Sequence, residues 1–290
     1  MKQWDLARRG FLGAIAASAA LSTLPQTASA STSSRAKLFF TETGTGRNIM
    51  LLHGWTVDAN DWSWQISVLE QRNRVIAVDL RGHGQSEVPA SGYGPSDYVR
   101  DIERLMTSAF AGQKFILIGH SMGGQIAARL AAKRPDLIDA VVSIDGSLGF
   151  ADDVAPLFCK VSNDLEVGDP GTVIPELWKA FYDPATPPAF QHWHARRVKG
   201  MPKHVVRQSF GPLFLGPDQV GVGAQSQKFL STLNVPLYHL CRDESQANRM
   251  RSVIIHPKSK VDFWTKTGHW IMQDRPDDVN AAIVTWLDRI

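Results

Sequence analysis

The stretch Phe115-Ile116-Leu117-Ile118-Gly119-His120-Ser121-Met122-Gly123-Gly124 decides the fold. Its first four residues are a continuous apolar run, the pattern of a strand buried on both faces. Behind the glycines, Gln125-Ile126-Ala127-Ala128-Arg129-Leu130-Ala131 is compatible with a helix. A serine therefore stands on a sharp turn between strand and helix. Glycines flank it because such a turn presses backbone against backbone and leaves no room for side chains. The turn lifts the hydroxyl above the sheet. It also puts the next backbone N–H, that of Met122, at a helix N-terminus, where developing negative charge is stabilised. Gly-x-Ser-x-Gly alone is a weak pattern; with a strand before it and a helix after it, Ser121 is a candidate nucleophile.

On either side of this turn, short apolar runs alternate with helical patterns. Asn48–Leu52 ends in His53-Gly54-Trp55, and Val75–Val78 opens the loop Asp79-Leu80-Arg81-Gly82-His83-Gly84-Gln85-Ser86. Ala140–Ile144 ends at Asp145, Val235–Cys241 is followed by Arg242, and Val261–Thr265 precedes Gly268-His269. Between them, Trp62, Ile66 and Leu69, then Tyr98, Ile102, Leu105 and Ala109, recur at helical spacing, as do Val279, Ile283, Leu287 and Ile290 behind Pro276. Continuous apolar strands alternating with helices predict a mostly parallel sheet covered on both faces. Lys37–Thr43, followed by Gly44-Thr45-Gly46, reads as an early strand with a hairpin turn. From Ser147 to Leu233 the sheet rhythm stops, and prolines and aromatics are dense.

In this order and spacing, the His-Gly-Trp, Asp79–Ser86, Gly-His-Ser-Met-Gly and Gly268-His269 stretches resemble the α/β-hydrolase fold over about Lys37 to Ile290. The resemblance implies an α/β fold: a mostly parallel, doubly wound sheet with a helical cap insertion. The core would be residues 31–146 and 234–290, and the cap residues 147–233. It implies backbone N–H groups of Trp55 and Met122 as an oxyanion hole, and His269, after the last strand, as the base that activates Ser121. The acid that holds the imidazole is less plain. Most relatives carry it after the strand that ends at Cys241, in a Gly-x-x-Asp-like turn. Here that run is Cys241-Arg242-Asp243-Glu244-Ser245, with the glycine absent. Some members place the acid after the strand that follows the elbow helix, where this chain has Asp145. We expect Asp145 as the triad acid, with Asp243 and Glu244 as alternatives. His83 is expected to be structural, because its loop motif recurs across the fold without a chemical role.

The expected activity is a serine hydrolase acting through an acyl-enzyme on a small or medium, largely apolar ester or lactone. The partner is a small-molecule substrate, with no cofactor and no metal. A cofactor-independent ring-cleaving dioxygenase, a carbon–carbon bond hydrolase and a haloperoxidase- or perhydrolase-like enzyme are the competing activities on this fold. A non-enzymatic binding protein does not fit an intact Ser/His set. His192-x-His194 offers only two metal ligands, short of a site.

The 290 residues are 43% hydrophobic and carry a net charge of +3, ample for one large core. No basic stripe interleaved with aromatics marks a nucleic-acid partner. Ala7-Arg8-Arg9-Gly10-Phe11-Leu12, an Ala-rich apolar stretch and Ala28-Ser29-Ala30 read as a cleaved signal peptide over residues 1–30. Its paired arginines resemble a twin-arginine signal, which predicts export to the periplasm or beyond with no membrane span remaining after cleavage. Two cysteines, Cys159 and Cys241, are too few for a disulfide framework.

Overall fold

Residues 35–290 are described by the computed structural model; the signal segment expected over residues 1–30 lies outside them. Seven strands form one sheet: β1 (Phe40–Thr43), β2 (Arg47–Leu52), β3 (Asn73–Val78), β4 (Phe115–His120), β5 (Ile138–Ile144), β6 (Leu237–Cys241) and β7 (Lys260–Phe263). Their order is β1-β3-β2-β4-β5-β6-β7, and every pair is parallel except β1 with β3. The apolar runs explain this arrangement. Ile49–Leu52 of β2 and all of β4 are buried, as strands sandwiched between helix layers must be. Helices such as Pro95–Ala109, Met122–Lys133 and Pro276–Leu287 cover the sheet with their apolar faces.

The hairpin expected at Gly44–Gly46 is corrected. β1 is joined to β2 by that turn but does not pair with it; it crosses to the outer edge of β3, with Phe40 opposite Val78. The turn residues fit either geometry, because Gly44 and Gly46 both have positive φ, 73° and 118°. Pairing is decided further along: β2 uses both its edges for β3 and β4.

The insertion between β5 and β6 contains five helices: Ala155–Val167, Pro170–Trp178, Pro188–Gly200, Lys203–Phe214 and Gly223–Leu230. The ends of the segment that carries the first four meet in a parallel bridge between Phe150 and Val222, where Phe150 N–H donates to the Gly221 carbonyl and Gly223 N–H to that of Phe150. The first four of these helices thus leave and rejoin the core at one neck, and the fifth, Gly223–Leu230, lies past it and packs on the helix Glu244–Val253. A helix at Glu244–Val253 follows β6, where the sequence shows only a polar turn. It buries just Gln246, Ala247 and Met250, too few apolar positions to announce a helix. Among the described residues, no helix is long and apolar enough to cross a membrane.

Candidate active site

Four described non-glycine residues have positive φ: Thr56 (63°), Ser121 (50°), Asp145 (41°) and Lys266 (58°). Each lies just past the C-terminal end of a strand: β2, β4, β5 and β7. Left-handed backbone at a side-chain-bearing residue is strained, by about 1–3 kcal/mol each, and persists only where surrounding packing enforces it. In an open parallel sheet this is also the edge at which ligands bind. Two of the four, Ser121 and Asp145, line one cavity.

Ser121 is the residue that caps the helix Met122–Lys133, with ψ −115°. A side chain at Gly123 would drive into the Leu52 carbonyl, and one at Gly119 into the Gly123 backbone. The two glycines let β4, the turn and the helix pass at backbone contact, and that approach fixes the Ser121 φ. Met122 N–H is the first of its helix and has no carbonyl one turn back to donate to. Trp55 N–H donates to no described residue, and the adjoining Gly54 packs against the Ser121 side chain. The Trp55 indole donates to Ser209 Oγ at 2.9 Å, which ties this loop to the cap helix Lys203–Phe214. His83 does not face this site. Its ring accepts from Thr56 N–H at 3.3 Å and donates to the Arg81 carbonyl at 2.8 Å, bracing the loop from behind.

His269 sits in the loop after β7, and its Nδ1 donates to Asp145 Oδ2 at 2.5 Å. Asp145 is 6% exposed. Burial alone would push its carboxyl up; the His269 hydrogen bond and the charges of His269 and Arg242 outweigh this and hold it well below the usual carboxylate range. Arg242 Nε donates to the same oxygen at 2.9 Å. Asp243 makes no hydrogen bond to the imidazole. It is the exposed N-cap of the helix Glu244–Val253, where its Oδ1 accepts from Gln246 N–H at 2.6 Å. Glu244 lies exposed in the first turn of that helix. Ser121 and His269 face one cavity, with no hydrogen bond between their side chains.

The histidine loop is held from several directions. Its N–H donates to the Phe181 carbonyl of the cap at 2.7 Å, and its carbonyl accepts from His120 Nε2 at 3.0 Å. Burial, then the nearby His269, keeps the His120 ring well below the ordinary histidine range, so it is a neutral donor. Gly268 N–H and Thr186 Oγ1 both donate to Asp274 Oδ2, at 2.6 Å and 2.9 Å. Trp270 Nε1 donates to buried Asp61 at 3.2 Å, and Arg197 of the cap helix Pro188–Gly200 pairs with Asp61 and with Asp58.

The cavity in front of Ser121 has a volume of about 460 Å³. Its polar members include Ser121, Asp145, Arg242 and His269, with Asp243 at the edge that Arg242 occupies, and they face a mainly apolar wall that includes Trp55, Phe158, Trp178, Phe210 and Phe214. Phe158 and Phe214 are stacked at 3.9 Å between ring centroids. Other aromatics of the cap do not line the cavity. Tyr182 stacks on Trp270, while Phe190 and Trp193 pack edge-on against Trp64 of the core. His194 is also diverted: it stacks on Trp270 at 3.9 Å and bonds Gln273 at 3.0 Å. No cluster of metal-ligating side chains exists among the described residues, and both cysteines are free, Cys159 exposed and Cys241 buried.

Sequence reasoning missed Arg242 and Phe181 as neighbours of the His–Asp pair. Arg242 carried a signal, a charged residue directly behind a fully buried strand at the sheet's C-terminal edge. Phe181 carried none, because a backbone carbonyl leaves no mark in sequence.

A family model described as alpha/beta hydrolase fold matches residues 47–192. Over 104 residues the chain is 40% identical to the 2-(acetamidomethylene)succinate hydrolase of Mesorhizobium japonicum, covering 36% of this chain and 37% of that one. The chain spans about a third of the length of the curated relatives it matches. Among solved structures, an esterase from Thermogutta terrifontis superposes with a TM-score of 0.73 at 24% identity, over 87% of this chain and 93% of the other. A bromoperoxidase from Bacillus anthracis superposes with a TM-score of 0.76 at 20% identity, over 87% and 96%. At these identities the superpositions show a shared fold.

Proposed function

Because the chain belongs to the alpha/beta hydrolase fold family, we propose that it is a serine hydrolase that cleaves a small or medium, largely apolar ester or lactone. Ser121 Oγ attacks the carbonyl carbon while His269 Nε2 takes its proton, and the same nitrogen then gives that proton to the leaving alkoxide. Asp145 keeps the imidazole in the tautomer with Nδ1–H and stabilises the imidazolium that forms. The N–H groups of Trp55 and Met122 receive the tetrahedral oxyanion. Water, deprotonated by His269, releases the acyl group and restores the serine. One observation carries the reading: a strained serine at a helix N-terminus shares an apolar cavity with a histidine whose far nitrogen is bonded to a buried carboxylate at 2.5 Å.

The apolar wall supports an uncharged acyl group, since burying a charge there without a partner is unfavourable. Residues 147–233 act as the cap that supplies most of this wall. Export through the twin-arginine route fits the Arg8-Arg9 segment. The test is a panel of esters and lactones read on wild type and Ser121→Ala, with an organophosphonate label on wild type. Turnover should fall by several orders of magnitude in the variant, and the label should map to Ser121. Full activity in Ser121→Ala would overturn the reading. Peroxide added to the panel reveals acyl transfer to peroxide, the reading suggested by the likeness to a bromoperoxidase.

A further inference from the structure

Four side chains close a ring around the His–Asp pair, and two of them have no part in the mechanism above. Asp145 Oδ2 accepts from His269 Nδ1 at 2.5 Å and from Arg242 Nε at 2.9 Å. The Arg242 guanidinium lies 5.1 Å from the centre of the Phe181 ring. The Phe181 ring in turn meets the His269 ring edge to face at 5.4 Å, and its carbonyl accepts His269 N–H at 2.7 Å. Asp145, His269 and Arg242 come from the ends of β5, β7 and β6; Phe181 comes from the cap.

We propose that Arg242 and Phe181 are positioning residues for the His269–Asp145 pair, so that the cap is part of the catalytic assembly as well as its lid. The proposal rests on the serine-hydrolase reading. Two features of the geometry support it. Asp145 has a left-handed backbone, φ 41°, which packing must hold in place, and its carboxylate swings about the bond that carries it. The hydrogen bond to the imidazole limits that swing only as well as the imidazole itself is fixed. A second donor from a separate strand end, converging on the same oxygen, fixes the carboxylate independently. The guanidinium needs its own anchor, because it is partly exposed, with 27% of its side chain in contact with solvent. The Phe181 face supplies that anchor by cation–π attraction. Phe181 also lines the substrate cavity, so a bound acyl chain presses on the residue that orients the base.

A kinetic cycle separates positioning from general structural support. Arg242→Met and Phe181→Ala are each made in wild type and in Asp145→Ala, and kcat and KM are read with a short acetyl ester that needs little of the cap wall. In wild type each change should lower kcat by about 10- to 100-fold with KM altered less than about threefold, because residues acting as a unit fail together. In Asp145→Ala, Arg242→Met should change kcat by less than about threefold, since no side-chain oxygen is left there for Arg242 to hold. Arg242→Lys should restore little, because a point charge on a flexible stem does not reproduce the planar group that bonds Asp145 and stacks on Phe181. Equal losses from Arg242→Met in both backgrounds, or a KM effect with kcat intact, would overturn the proposal. Thermal melting of each variant verifies folding. Ser121→Ala run beside them keeps the two ideas apart: its full activity sinks the hydrolase reading, whereas additive losses with an inactive Ser121→Ala sink only the ring.

Discussion

Replacing Asp145 by Asn isolates charge from geometry more cleanly here than in most His–Asp pairs. Both donors, His269 Nδ1 and Arg242 Nε, converge on one oxygen, Oδ2. An asparagine amide presents one oxygen, and set at that place it keeps both hydrogen bonds. The imidazole then retains its orientation and tautomer, and the variant loses only the negative charge facing the imidazolium. With charge centres about 4 Å apart and an effective dielectric of about 20, that charge is worth about 4 kcal/mol, or about 10³-fold in kcat. If the amide turns its NH₂ toward the ring instead, the wrong tautomer deepens the loss to about 10⁴-fold. The control is Asp243→Asn. Its carboxylate caps the helix Glu244–Val253 through Gln246 N–H, and asparagine caps as well as aspartate, so kcat and melting temperature should stay close to wild type. Stopped-time hydrolysis of a chromogenic short-chain ester, with melting curves for both variants, makes the measurement. Asp145→Asn keeping more than a tenth of wild-type kcat, or Asp243→Asn losing as much as Asp145→Asn, refutes the assignment of the acid.

Arg197→Met should lower stability by about 3–5 kcal/mol, because it strands the fully buried Asp61 carboxylate without its cation. Melting should fall by about 10 °C, and the Arg197→Met/Asp61→Asn double variant should recover much of that; an unchanged melting temperature in the single variant contradicts a stabilising role for the Arg197–Asp61 pair. Burial pushes the Asp61 carboxyl up to about 6 against the pull of Arg197. Folded Asp61 holds its proton where the unfolded chain has lost it, so its contribution makes stability fall as pH rises from about 4 to about 6. Removing Arg197 moves that window upward, so the melting temperature of Arg197→Met should keep falling between about pH 6 and pH 8, measured against wild type in the same buffers. Arg8→Lys with Arg9→Lys should leave the protein unexported with its N-terminus intact, whereas exported wild type should begin near Ser31; mass spectrometry of cell fractions decides it.

What was legible in the sequence is what local geometry forces. The elbow was readable because backbone contact at Gly119 and Gly123 tolerates no side chain, and the strands because burial on both faces demands unbroken apolar runs. His269 was readable from its place behind the last strand. The carboxylate that reaches it was legible only as a preference for Asp145 over Asp243 and Glu244, because Asp145 and Asp243 stand at neighbouring strand tips and the fold shows that Asp145 is the one that turns inward. Asp145 N–H donates to the Leu240 carbonyl at 2.7 Å, which sets it beside the end of β6 and brings Arg242 within reach of its oxygen. Asp243, two residues past Cys241, is already committed to starting a helix. The strand β1 misled for a related reason: its turn fits a hairpin, and only the use of both edges of β2 by other strands excludes one.

The contacts least visible in sequence are those between cap and core, and they are the ones that hold the histidine loop. Arg197 reaches Asp61, Trp270 bonds the same carboxylate, His194 stacks on Trp270, and the Phe181 carbonyl takes His269 N–H. None of these pairs is local, and each depends on how a proline-rich insertion folds back over the sheet. The insertion therefore has two jobs that compete for its aromatic residues. Phe158, Phe210 and Phe214 shape the cavity, while Tyr182, His194 and Trp193 clamp the insertion onto the core. Substitutions in the first group should redirect substrate preference at little change in the base. Substitutions in the second should reach the chemistry through His269 without touching substrate. A screen that scores both turnover on one ester and preference between two esters would separate the groups, and a cap that served only as a wall would show a single class.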